Sequence, residues 1–440
     1  MNIQLKIALV LCLISSTFFG QQQLTLDQCI ELAYANNPTL KKAELSVTIS
    51  RAELLFNKGR LMPTVYGVID NKNSWGREID PVSNDYVDTD FKYYSGIIES
   101  TFNLFSGFSV WNSIKSSRQE VAITKMNIEK SKNALTIDLA QKYITILYLK
   151  ETILANKEQI KESEKLLELA QLKFNSGAIA ENELFKIKSQ KATEELAFTT
   201  NSNQLEMNLI DLKLLINMDL RAEIDLEKPS FLIPKNEALE ENQYDVTNNA
   251  VQINPTYLIS QYQVKKAKSE LAIARSFRLP TLNLRFRYGS NYSDIEEIID
   301  FRDQVSANLA YNLRVIMTIP IFSQFSTLSK VRQSKSLFKQ AKLETKVKEN
   351  EVSKEVLLAI NNTKTAKKRL ETLEIARDFN SKSYDGDLLK YELGKININE
   401  LNITKSNFIT TQIQYIKAKH ELLFFNALIK FYLGEKFALQ

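Results

Sequence analysis

The sequence predicts a membrane α+β chain made of two internal repeats. Each half carries two transmembrane β-strands and a pair of very long helices folded into a hairpin. Three observations lead there. The first is a duplication: Asn37-Pro38-Thr39 recurs as Asn254-Pro255-Thr256, Pro63-Thr64 as Pro280-Thr281, and Phe105-Ser106 as Phe322-Ser323, always 217 residues apart. Chance matches would scatter over many offsets, and two copies this long suit pseudo-symmetric halves better than a stacked solenoid. The second is punctuation. Gly numbers only 11 and Pro only 8 in 440 residues, and neither occurs in the 69 residues between Gly107 and Gly177. The third is a period-two pattern in the segments between the helical stretches.

Near the start of the chain, Lys6 precedes the apolar run Ile7 to Ile14, and small or polar residues follow up to Gly20. That is the pattern of a secretory signal over 1–20, too short to span a bilayer as a helix. The first repeat then covers 21–236 and the second 237–440. With Cys12 inside the leader, Cys29 stands alone, so no intramolecular disulfide can form in the mature chain.

Short helices are predicted over 26–56 and 247–277, capped at Thr25 and Asp27 in the first case. Pro255 stands near the start of the second or at a break in it. Long helices follow. Leu135, Leu139, Tyr143, Ile146 and Lys150 show the mixed three- and four-residue spacing of an amphipathic helix. The matching Gly- and Pro-free stretch is 321–385. Helices of this length imply coiled-coil-like packing. A second helix follows each time, over 182–218 and 399–431. Gly177 and Gly394 therefore fall at two hairpin tips, where glycine tolerates the left-handed conformation that ends a helix.

Strands are predicted over 64–74, 92–104, 281–289 and 307–319. In the third, Leu282, Leu284, Phe286 and Tyr288 share one face, and Asn283, Arg285, Arg287 and Gly289 the other. In the fourth, Leu309, Tyr311, Leu313, Val315, Met317 and Ile319 oppose a face holding Asn312 and Arg314. About ten residues with apolar-out, polar-in alternation match a barrel strand with lipid outside and water inside. Arg285, Arg287 and Arg314 then face the lumen and give it local positive charge. The first-half strands alternate less cleanly: Gly96 and Ser100 interrupt the row Tyr94, Ile98, Phe102. The acidic segments 75–91 and 290–305 read as solvated external loops. Pro63, Pro280 and Pro320 sit where helix and strand meet. Four strands cannot close a barrel, and an open edge in lipid leaves backbone groups unpaired, so the chain must share its barrel with other copies.

Signal, duplicated halves, strand pairs followed by very long helices, Gly-tipped hairpins, and the opening Leu24-Thr25-Leu26-Asp27-Gln28-Cys29 with Asn36-Asn37-Pro38 together resemble the TolC family of outer-membrane efflux proteins. The resemblance implies a homotrimer in the outer membrane of a Gram-negative bacterium. Twelve strands would form one barrel, and twelve helical segments a tunnel across the periplasm. It implies an exit duct of a tripartite efflux or type I secretion system, working with a periplasmic adaptor (membrane fusion) protein and an inner-membrane pump or exporter. On the same resemblance, Phe174, Gly177, Ala178, Tyr391, Gly394 and Lys395 are adaptor-contacting tip residues, and Glu183, Tyr391 and Glu400 form a periplasmic gate. A ring of such carboxylates would favour cations. Ile396 and Ile403 depart from the pattern, standing where the family carries an arginine and an acidic residue.

No Cys/His metal spacing, Gly-rich phosphate loop or nucleophile–base pair is present, and no cofactor is implied. The only histidine, His420, lies between Lys419 and Glu421 and reads as a surface or interface residue. No basic block with interleaved aromatics suggests nucleic acid. The alternative to a channel is a secreted helical scaffold or adhesin, with the strands as a soluble cap.

Overall fold

The computed structural model describes residues 23–80, 84–229, 243–295 and 300–439. The signal segment, Cys12, the boundary between the repeats and part of each acidic loop lie outside the described residues. In the first half, α1 (Leu26–Asn36), α2 (Pro38–Gly59), β1 (Thr64–Ser74), β2 (Phe91–Ser106), α3 (Ser109–Asn175) and α4 (Glu181–Leu215) follow in order. The second half repeats the set as α5 (Gln243–Ile253), α6 (Pro255–Ser276), β3 (Thr281–Ser293), β4 (Ala310–Thr318), α7 (Ser326–Glu392) and α8 (Ile398–Tyr432). Each of these four first-half helices recurs at its own length with both ends displaced by 217.

Compactness divides the chain differently from the repeat. One unit comprises Ala43–Asn127 and Thr256–Lys348; the other takes Ile128–Pro255, Glu349–Gln440 and the N-terminal segment to Lys42. Each draws on both halves.

The first unit holds a four-stranded antiparallel sheet in the order β1-β2-β3-β4. The strands of the two halves therefore join at β2 and β3, where Ile98 pairs with Tyr288 and Phe102 with Leu284. Pairing of Phe286 with Leu313 and of Leu284 with Val315 continues the same apolar face. The uneven alternation of the first-half strands now has a cause. Gly67 lies opposite Ile98 and Ile69 opposite Gly96, so small residues face large ones across the ladder.

The second unit holds the hairpins. Parallel pairing of Gln23–Leu24 with Asp225–Leu226 ties the start of the chain to the segment after α4. Tyr143 seals this join, its hydroxyl 2.6 Å from the Glu227 carbonyl and 3.1 Å from that of Leu24. Cys29 is fully buried beside it, and burial pushes its thiol up to about 12.

Several sequence expectations need correction. Helix 26–56 is two helices, α1 and α2, and 247–277 is likewise α5 and α6. Pro38 and Pro255 lack the N–H that would continue the preceding helix, but each suits the first position of a new one. Asn37 serves the break, accepting from Thr39 N and donating to the Leu215 carbonyl, both at 2.9 Å. The long helix of the second half runs through Gly386 and ends at Glu392, just before Gly394. A glycine inside a helix costs only about 1 kcal/mol, which a helix of 67 residues absorbs. The described parts of the acidic loops hold regular structure. The first contains a small hairpin, Arg77–Ile79 with Tyr86–Asp88, and buries Asp80. In the second, Asp300 caps the helix Phe301–Ala307, so β4 starts later than predicted.

Candidate gate at the hairpin tips and polar face of the sheet

Each long helix ends in the same turn. Gly177 and Gly394 adopt φ of 75° and 71°, where a side chain would strain the backbone. The amide of Gly177 donates to the Phe174 carbonyl at 2.9 Å and that of Ala178 to Lys173 at 2.8 Å. In the second tip Gly394 donates to Tyr391 at 3.0 Å and Lys395 to Lys390 at 2.8 Å. These bonds satisfy the last carbonyls of each helix, as in a Schellman ending.

The two tips pack on one another. Leu166, Ala170, Leu184 and Ile187 of the first hairpin and Tyr384, Tyr391, Ile398 and Leu401 of the second share one cluster. Phe174, Ile179 and Ile396 lean on its edge. Ile396, which departs from the family pattern, thus contributes apolar contact instead of a charge. Ile403 is exposed.

The tip residues divide into a rim and an interior. Gly177, Ala178, Gly394 and Lys395 are exposed, Phe174 is half-buried, and Tyr391 is only 2% exposed. Lys173 lies over the Tyr391 ring, with Nζ 4.7 Å from its centroid, and donates to the carbonyls of Tyr391 at 2.8 Å and Glu392 at 3.1 Å. A cation on the last carbonyls of α7 complements that helix end. Burial, with the Glu183 carboxylate nearby, pushes the Tyr391 phenol up.

The two acidic positions differ. Glu400 is held in a reciprocal cap: Asn397 Nδ2 donates to its carboxylate at 2.6 Å, while Asn397 Oδ1 accepts from Asn399 N and Glu400 N at 2.9 and 3.2 Å. Glu183 sits in the first turn of α4 behind Ala180, which offers no side-chain cap.

Sequence reading missed the buried polar group above the tips. Lys405 is 1% exposed and pairs with Glu194, 5% exposed, at 2.8 Å. Ser163 donates to the other Glu194 oxygen at 2.5 Å and also meets Lys405, while Gln190 Nε2 donates to Glu194 at 3.1 Å. The signal was present: Lys405 continues the stripe of Ile398 and Leu401 at helical spacing, where a lysine needs a buried partner.

His420, read as a surface or interface residue, is buried within the chain. It packs against α3 with Nε2 2.9 Å from Glu151. That hydrogen bond, aided by Lys419, holds the Glu151 carboxyl below its ordinary range.

On the sheet, Arg285, Arg287 and Arg314 all lie on the polar face and are exposed. Arg285 stands directly opposite Arg314, and Arg287 opposite Glu99 and Asn312. Glu99 turns to Arg285, at 3.4 Å from Nε.

Comparison with known proteins agrees with this geometry. The family model described as outer membrane efflux protein matches residues 29–218 and again 246–435, two segments with the spacing of the repeat. Outer membrane efflux protein BepC of Brucella suis biovar 1 is 19% identical over 422 residues, covering 95% of this chain and 87% of that one. The crystal structure of CusC superposes with a TM-score of 0.81 at 14% identity, over 96% of this chain and 94% of that one. The Campylobacter jejuni CmeC outer membrane channel gives 0.78 at 16%, over 94% and 86%. At these identities the structural likeness is one of fold.

Proposed function

The chain belongs to the outer membrane efflux protein family and is an outer-membrane exit duct; from that premise we propose that three copies close one barrel, and that the hairpin tips gate it where they meet an adaptor. The observation that carries this reading is the pair of open edges. β1 and β4 each have a ladder partner on one side only, in a sheet with one apolar face. An unpaired strand edge in lipid costs several kcal/mol per backbone group. Pairing β1 of one copy with β4 of the next removes every edge, and three sheets of four give twelve strands. Exposed apolar side chains in the same unit as the sheet, Ile49 and Phe56 on α2 and Ile321, Phe322 and Phe325 before α7, supply surface for neighbouring copies.

In this reading the duct is passive. Energy comes from an inner-membrane pump reached through a periplasmic adaptor. The exposed rim of Gly177, Ala178, Gly394 and Lys395 meets the adaptor, and Phe174 and Tyr391 support it from beneath. At rest the tip cluster holds the hairpins together; engagement of the rim pries them apart, with Glu183 and Glu400 placing negative charge at the mouth. A secreted scaffold would need no apolar sheet face. The test is the mass of the detergent-extracted protein by light scattering with the micelle subtracted. A trimer supports the shared barrel, and a water-soluble monomer sinks it.

A further inference from the structure

The polar face of the sheet is not uniformly polar. Two adjacent rungs carry most of its charge. One reads Thr64, Thr101, Arg285, Arg314 across the four strands, and the next Tyr66, Glu99, Arg287, Asn312. The neighbouring rungs are neutral on the same face, with Asn103 opposite Asn283 on one side and Ile97 opposite Gly289 on the other. Three guanidiniums therefore share one carboxylate. Glu99 pairs with Arg285, and among the described residues neither Arg287 nor Arg314 has an acidic partner.

Side chains directly opposite in a ladder have Cβ atoms about 5 Å apart, and like charges there destabilise the sheet. Asparagine, serine or threonine would keep this face wet without that repulsion, as the neighbouring Asn103–Asn283 rung does. Guanidinium also differs from other cations in chemistry: its planar fork matches a carboxylate or phosphate with two parallel hydrogen bonds. Unpaired forks side by side on a water-facing wall suit an anion that arrives and leaves.

We propose that Arg285, Arg287 and Arg314 form an anion-binding belt inside the barrel, selecting cargo that carries carboxylate or phosphate groups. This rests on the trimeric barrel proposed above, in which the belt repeats three times around the wall. Twelve strands about 4.8 Å apart and tilted about 40° place the backbone roughly 12 Å from the axis. Extended side chains reach inward from there, and the Debye length at physiological salt is about 8 Å. The belt is thus felt across the pore and is not screened at the wall.

The test uses the purified full-length trimer in planar bilayers, with inorganic tripolyphosphate added on the barrel side. Wild-type current is blocked. In R287Q/R314Q the half-blocking concentration rises about tenfold or more, the loss expected when charge-assisted hydrogen bonds become neutral ones. R287K/R314K, which keeps charge without the fork, lies between. Titration calorimetry of the same trimer with tripolyphosphate reads binding even when the gate passes little current, and the same ranking is expected. No binding to wild type, or equal binding by R287Q/R314Q, overturns the belt. Extraction as a monomer fails the barrel reading instead, while a trimer with unchanged block fails the belt alone.

Discussion

Ser163 and Glu194 face one another across the first hairpin; 217 residues on, Asn380 and Thr411 do so across the second, joined by a 2.8 Å hydrogen bond. The backbone plan is the same and the chemistry is not. The first pair contains a buried acid, and the second is neutral. The missing cation comes from the other hairpin: Lys405 reaches Glu194, whereas its counterpart Lys188 is exposed. The same divergence recurs further up. Asn156, Gln159 and Asn201 form a hydrogen-bonded layer in the first hairpin. Their counterparts in the second are Leu373, Ala376 and Ala418, and Leu373 and Ala418 pack in an apolar cluster. Duplication kept the helix lengths and let the interiors drift apart until acid and base lay in different halves. The hairpins are thereby bound to each other, and neither copy could replace the other.

The sharpest way to break this comparison is K405M. It leaves Glu194 buried without its cation, which costs about 3–5 kcal/mol, and K188M, on the exposed counterpart, costs less than about 0.5 kcal/mol. Thermal unfolding of the detergent-solubilised protein measures both. The double variant K405M/E194L should recover most of the loss, and equal melting of K405M and K188M would remove the asymmetry. Next comes the aromatic at each tip. Y391A empties a buried site and costs about 3–5 kcal/mol, while F174A, half-buried, costs clearly less. Hydrogen exchange of the tip amides reads the difference. Y391A combined with E183A should also raise leak conductance, and an unchanged leak would rule out Tyr391 as part of the gate.

Smaller effects sharpen the comparison. N397A removes the cap of α8, worth about 1 kcal/mol, and should speed exchange in its first turn. A180N should do the reverse for α4, where no side chain caps now. Last is pH. Glu151, whose counterpart is Lys368, is held below its ordinary value of 4.5, chiefly by His420. A depressed carboxyl contributes stability that is full above the unfolded value and disappears as pH falls through the folded one. The acid limb of the stability profile should therefore flatten in E151Q, and an unaltered limb would show that other groups set it.

Much of this fold was legible in the chain because the signals were local. Helix lengths follow from the absence of Gly and Pro, the tips from Gly177 and Gly394, and the two sheet faces from the alternation within 282–288 and 309–319. What was not legible depended on partners distant in sequence. Phe174 and Tyr391 hold the same position in the motif, and nothing in either repeat says that only Tyr391 turns inward under Lys173. The softened alternation of β2 made sense only beside β1, where Gly67 meets Ile98. Lys405 could be recognised as out of place on an apolar stripe, but Glu194 could not be picked from many glutamates at helix-surface spacing. Asp80 shows the limit of composition: an acidic run reads as solvated until one member is found buried.

The sealed position of Cys29 gives the molecule one more property. Its thiol has no access to solvent and is pushed up to about 12, so almost none of it is the reactive thiolate at neutral pH. Among the described residues it is the one cysteine, so protein from which the segment holding Cys12 has been removed is silent toward maleimides. A single cysteine placed at exposed Ala178 would be labelled alone, and a spin label or fluorophore there would report the spacing of the rims as the mouth opens.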